Sequence, residues 1–159
     1  MIITVFEDKD INSLYPLNVT RASFELRCGA FTNLERIKST LQPDDEIQLV
    51  VRKELEDLTR ERYPQLTVNP DIISEGIWLN GRCIWTEANL NELTSVRAYS
   101  IQGTVVAVVS ESQTPLEEFY EQIEEKSSVS TIISVPMAAF IWDMIFSQKD
   151  VITSDAQYY

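Results

Sequence analysis

The chain has 159 residues and a net charge of −12, from 13 basic and 25 acidic side chains. That balance argues against non-specific nucleic-acid binding, and no apolar run approaches the roughly 18 residues of a membrane span. Histidine is absent, which excludes imidazole catalysis and His-ligated metals, so any chemistry runs on carboxylates, Arg or Lys, amides, hydroxyls or the thiols of Cys28 and Cys83. Those two cysteines are too few and too far apart for a disulfide framework or a zinc knuckle. A reducing cytoplasm is the expected compartment. The length suits one domain with its own core.

Met1 to Phe6 lacks the basic region of a secretory leader, and Ile2–Phe6 reads as a strand. Thr32 and Glu35 form a capping box ahead of Leu34, Ile37 and Leu41, which predicts a helix over 33–41. Pro43-Asp44-Asp45 breaks it, and Ile47 to Val51 reads as a buried strand. Arg52 to Tyr63 is a solvated amphipathic helix ending before Pro64. Short strands follow at Leu66–Val68 and Gly76–Leu79, the second closed by the turn signal Asn80-Gly81. A helix over 87–93 precedes a hairpin of Arg97–Ile101 with Thr104–Val109. Thr114-Pro115-Leu116-Glu117 predicts a helix start, with the helix over 115–126. A last short strand covers Thr131–Ile133, and Met137–Phe146 makes an apolar helix. The tail from Ser147 to Tyr159 is weakly patterned. This alternation predicts an α/β domain with a Rossmann-like, mostly parallel sheet, flanking helices and one antiparallel hairpin.

Residues 1–62 carry nine basic and twelve acidic side chains, and residues 63–159 four and thirteen, so arginines able to meet a phosphate gather in the first part. There Pro16-Leu17-Asn18-Val19-Thr20-Arg21 leaves the first strand and leads through Glu25-Leu26-Arg27 and Gly29 to Leu34-Glu35. Loops leaving a central strand are where α/β folds put ligand sites. The segment resembles the opening of sugar-nucleotide nucleotidyltransferases, where a PLT element leads through a proline–lysine pair to a helix opened by Leu-Glu. With Glu7-Asp8, Trp78-Leu79-Asn80-Gly81-Arg82 and Trp142-Asp143, it is similar to a divergent subfamily. That subfamily is the nucleotidyltransferase-like N-terminal domain fused to a left-handed β-helix acyltransferase-like domain. At a distance it resembles the uridyltransferase half of bifunctional N-acetylglucosamine-1-phosphate uridyltransferases.

The resemblance implies a reduced nucleotide-diphospho-sugar transferase fold over 1–159, ahead of a β-helix domain. It implies a reaction that joins an NTP and a sugar 1-phosphate, releases pyrophosphate and uses Mg²⁺. Carried onto this chain, Arg21 offsets charge at the α-phosphate and Arg27 orients the triphosphate. Glu7 and Asp8 hold the metal, and Glu25, Gly29, Asn80 and Arg82 contact the substrate. The chain also departs from the pattern. The loop Glu7 to Tyr15 has no glycine, Ala22 and Ser23 stand at the proline–lysine pair, and Asn80 replaces a metal-binding aspartate. These departures point to the alternative, a catalytically impaired nucleotide-binding or domain-interaction module.

The residues by themselves leave further alternatives open. Arg21, Glu25 and Arg27 serve equally as an internal salt-bridge cluster, with Glu25 and Arg27 on one side of an extended segment. Asn80-Gly81 suits a turn, Glu7-Asp8 a solvated loop, and Trp78, Trp85 and Trp142 core or interface anchors. Phe140, Ile141, Trp142, Ile145 and Phe146 exceed one helix stripe. Their surface is expected to contact a second subunit or a partner domain.

Overall fold

The computed structural model describes residues 1–94 and 97–156. Its centre is β1 (Ile2–Phe6), flanked by β4 (Glu46–Val50) and β7 (Gly76–Asn80), both parallel to it. Beyond β4 lies β5 (Thr67–Val68), also parallel. Beyond β7 come β9 (Thr104–Ser110) and β8 (Ala98–Ile101), the expected hairpin, and then β11 (Thr131–Ile132) parallel to β8. The seven strands run in the order β11-β8-β9-β7-β1-β4-β5. Two-stranded ribbons of β2 (Arg27–Cys28) with β3 (Phe31–Thr32), and of β6 (Ile72–Ile73) with β10 (Thr114–Pro115), stand apart. Sequence reading missed these ribbons, because two residues give no period to detect.

The strands alternate their apolar side chains between two layers. Ile3, Val5, Leu49 and Leu79 face α1 (Asn33–Thr40) and its buried Leu34 and Ile37. Phe6, Val50 and Trp78 face the opposite way, toward Phe119 and Ile123 of α4 (Leu116–Ser127). Phe119 meets the Phe6 ring edge-on at 5.5 Å and lies 5.0 Å from Trp78, a packing that aromatic quadrupoles favour. Burying Phe119 there contributes about 1.5–3 kcal/mol. The α1 capping box is present: Thr32 Oγ1 accepts from the Glu35 amide, and Glu35 accepts from the Thr32 amide at 2.7 Å. Thr114 does not cap α4. Its hydroxyl donates to Gln122, and Pro115 takes the cap position.

The 52–63 prediction resolves into a single 3-10 turn, Lys53–Leu55, followed by α2 (Glu56–Arg62). The 87–93 prediction shortens to α3 (Glu87–Asn91). The largest correction is at the C-terminus. The helix expected at Met137–Phe146 is α5, Ile141–Asp155. It starts later because residues 136–138 are drawn out against 82–84, with the Ile84 amide donating to Pro136 and the Ala138 amide to Arg82. It continues through the weakly patterned tail because Val151 and Asp155 are buried against β2 and α1. Residues 157–159 lie outside the described set. On α5, Ile141 and Met144 pack inward, whereas Trp142, Ile145 and Phe146 are exposed, so Trp142 is not a core residue as Trp78 and Trp85 are.

Candidate functional site

From β1 the chain crosses to β4 and β5 on one side, then returns to β7 on the other. The connections therefore reverse between β1 and β7, and a crevice outside the carboxyl ends of these two strands is where such sheets hold ligands. Asp8 lies two residues past β1 there, and Asn80 ends β7. The Asn80 amide donates to Asp8 Oδ2 at 2.6 Å, and Arg82 Nε donates to the same oxygen at 3.0 Å. Arg82 also stands 3.6 Å from Asp10. The expected site residues Asp8, Asn80 and Arg82 are thus brought together.

The loop after β1 is not an open cradle. Residues Lys9–Leu14 wind into a 3-10 helix capped by Asp8 and anchored by the buried Ile11 and Leu14. A cavity of about 350 Å³ opens beside it, floored by Phe6, Val105 and Tyr120 and rimmed by Asp8, Asp10 and Glu124. Lys9 spans its edge and pairs with Glu124 of α4. Burial, then the charges of Glu7 and Asp8, push the Tyr120 hydroxyl pKa upward. Neither Lys9 nor Tyr120 was singled out from the sequence, because one sits in a charged loop and the other on an acidic helix face.

The remaining expected residues fall into separate clusters. Glu7 is buried and has a different set of partners from Asp8. It accepts from the Ser23 amide at 2.9 Å and from the Arg52 guanidinium at 2.7 Å. Burial lifts its carboxyl above the ordinary value, against the pull of Arg52. Glu25 lies in a 3-10 turn, not an extended strand, and is buried while Arg27 is exposed. Glu25 accepts from the Ala22 amide at 2.7 Å and from Arg62 at 3.0 Å. Tyr63, pressed against it, has its hydroxyl pushed up to about 12 by burial and by the Glu25 charge. Arg27 pairs with Glu35 at 3.3 Å rather than with Glu25. Gly29 (φ 77°) sits under α5, where its missing Cβ leaves room for Val151 and Asp155. Arg21 is exposed two residues before Ser23, at the same end of the sheet as the crevice.

Arg52 and Arg62 were missed as partners, although one signal was present. The register places Phe6 opposite Val50, so residues just past these strands must meet, and Arg52 follows the β4 run as Glu7 follows the β1 run.

A divalent metal does not fit these residues. Both Glu7 oxygens accept from Arg52 or backbone amides, and both Asp8 oxygens have donors. Among the described residues no three acidic or cysteine side chains converge as ligands, nor is any helix long and apolar enough to cross a membrane.

A sheet with its reversal beside β1, an arginine-bearing loop and a ligand-sized crevice define an α/β domain built to hold a ligand at its carboxyl edge. The chain belongs to the sugar nucleotidyl transferase family, whose model matches residues 3–159. It is also similar in fold to a solved structure, a putative glucose-1-phosphate thymidylyltransferase from Bacillus anthracis in complex with a sucrose. That similarity has a TM-score of 0.53 and 8% identity over 96% of each chain, which speaks to fold alone. No curated protein matches the sequence.

Proposed function

We propose that this chain joins a nucleoside triphosphate to a sugar 1-phosphate in the crevice between β1 and β7. A phosphate oxygen of the sugar 1-phosphate attacks the α-phosphorus, and the bond to the β-phosphate oxygen breaks, releasing pyrophosphate. The observation that supports this reading is the cavity at the reversal point, with Asp8 and Lys9 on its rim, in a member of this family. In this reading Arg21 meets the charge that builds on the α-phosphate, and Lys9 leaves Glu124 to meet the triphosphate. Arg27 is given no role, because its guanidinium is bound to Glu35 and to the Ala30 carbonyl.

A second reading, nucleotide binding without transfer, is favoured by the arginine pairing of both Glu7 and Asp8 and by the glycine-free loop. Pyrophosphate release, assayed with a panel of NTPs and hexose 1-phosphates, separates the two. Release by the wild type that falls in Arg21→Ala supports transfer. A nucleotide-induced rise in stability, about 2.7 kcal/mol at a hundredfold excess over Kd, without release supports binding alone. Neither response from any nucleotide refutes both.

A further inference from the structure

The carboxyl edge carries a cation of its own. Arg82 is 2% exposed, and a guanidinium so buried is tolerable only when paired and hydrogen-bonded. Its main pairing is with Asp8 Oδ2, the oxygen that also receives the Asn80 amide, while Asp8 Oδ1 accepts from the Asp10 amide at 3.2 Å. Asn80 turns its Nδ2 donor, not its oxygen, toward Asp8, while its Oδ1 accepts from the Arg82 amide at 2.9 Å. Asp10, the second acidic side chain at this edge, lies 3.6 Å from the same guanidinium.

The backbone holds Arg82 in position on both sides. Its amide is bonded to Asn80, and its carbonyl accepts from the Ala138 amide at 2.9 Å. Its side chain lines a second cavity of about 380 Å³ together with Lys9, Asn12 and Phe140. The planar fork reaches two carboxylates at once, which the single point of charge on a lysine does not reproduce.

We propose that Arg82 is the resident cation of this crevice. It occupies the place beside Asp8 and Asp10 that a divalent metal would need, keeps these two acidic side chains at one edge, and excludes free metal from the empty protein. This goes beyond the transfer reading and does not rest on it, since no nucleotide enters the test.

The probe is Mn²⁺ alone, titrated into the intact chain and followed by electron paramagnetic resonance and water-proton relaxation. The wild type is expected to leave the Mn²⁺ signal free. The double variant Asn80→Asp/Arg82→Met, which removes the guanidinium and supplies a second carboxylate, is expected to gain stoichiometric binding, and Asp8→Asn in that background to lose it. Stoichiometric binding by the wild type that Asp8→Asn abolishes overturns the proposal. So does a double variant with native circular dichroism that still leaves Mn²⁺ free, since Arg82 is then not what excludes it. Should the double variant not fold, Asn80→Asp alone carries the test. With Arg82 in place it is expected to leave Mn²⁺ free, and stoichiometric binding by it overturns the proposal.

Discussion

Asp155 closes α5 onto the rest of the molecule, and its removal has a calculable cost. The residue is 1% exposed; its carboxylate accepts from both terminal nitrogens of Arg36, one at 3.1 Å, and from the Ala30 amide at 2.8 Å. Arg36 is itself buried, its Nε already lacks a hydrogen-bond partner, and Asp155→Ala leaves it the Cys28 carbonyl at 2.9 Å and the Phe31 ring, 5.6 Å from its guanidinium carbon, with no counter-charge among the described residues. Breaking a buried pair from one side costs about 3–5 kcal/mol, because the surviving charge stays in the interior. The orphaned Ala30 amide belongs within that range rather than on top of it. Set against a total of roughly 5–15 kcal/mol for a domain, the loss brings the chain close to unfolding. Asp155→Asn keeps the bond to Ala30 and gives up the charge, so it falls between Asp155→Ala and the wild type. Urea unfolding is expected to show a lower midpoint at unchanged slope. An Asp155→Ala stability within about 1 kcal/mol of the wild type refutes the reasoning, for it means that solvent reaches Arg36 in the folded state.

The same pair has a pH signature. Burial pushes the Asp155 carboxyl up, but the Arg36 hydrogen bond, the Ala30 amide and the Arg36 charge outweigh it and hold the group below its ordinary value. Its contribution is therefore complete above the unfolded value of about 3.9 and is lost as pH falls through the lower folded one. The stability gap between wild type and Asp155→Asn, taken from urea midpoints, should stay level from neutral pH and close only in acid; closure near neutrality contradicts the assignment. Gly29→Ala places a Cβ against Asp155 and Val151 at a backbone angle L-residues avoid, and a destabilisation of at least about 1 kcal/mol in the same assay is expected. Both thiols are buried, and burial raises the pKa of Cys28 and of Cys83; Ellman's reagent should label neither in the native chain and both in urea, and rapid native labelling counts against this packing. Of the three tryptophans, Trp142 alone is open, 49% exposed and stacked on Phe140; acrylamide should quench it and spare the rest, and a Trp142→Phe variant with unchanged quenching rejects the exposure.

The parallel core was legible because its strands are continuous apolar runs and Thr32 with Glu35 marks a helix start without ambiguity. What escaped was the part of the fold decided by contacts distant in sequence. The α5 helix extends to Asp155 because of Arg36 and Gly29, more than a hundred residues earlier, and no local pattern in 147–155 records that. The candidate site was legible in part for the same reason. Asp8, Asn80 and Arg82 each adjoin a strand end, so strand adjacency brings them together. Glu7 and Asp8 are neighbours just past β1, and sequence adjacency suggested a shared role, but Ser23 and Arg52 take the first and Asn80 and Arg82 the second. Glu25 and Arg27 were parted by a 3-10 turn that the Ala22–Glu25 contact closes.

Glu7 and Arg52 bear on how the sheet finds its alignment. The acid leaves the end of β1 and the arginine the end of its neighbour β4, with Phe6 opposite Val50 in between. Slipping β4 by one residue along β1 turns its apolar side chains to the wrong layer. It also strands a buried carboxylate without a counter-charge. Apolar packing tolerates near-misses among Val, Ile and Leu, whereas an ion pair seated at a strand end accepts one offset. The pair thus works as a ratchet tooth for assembly, rejecting the two-residue slips that would keep every apolar side chain in its layer.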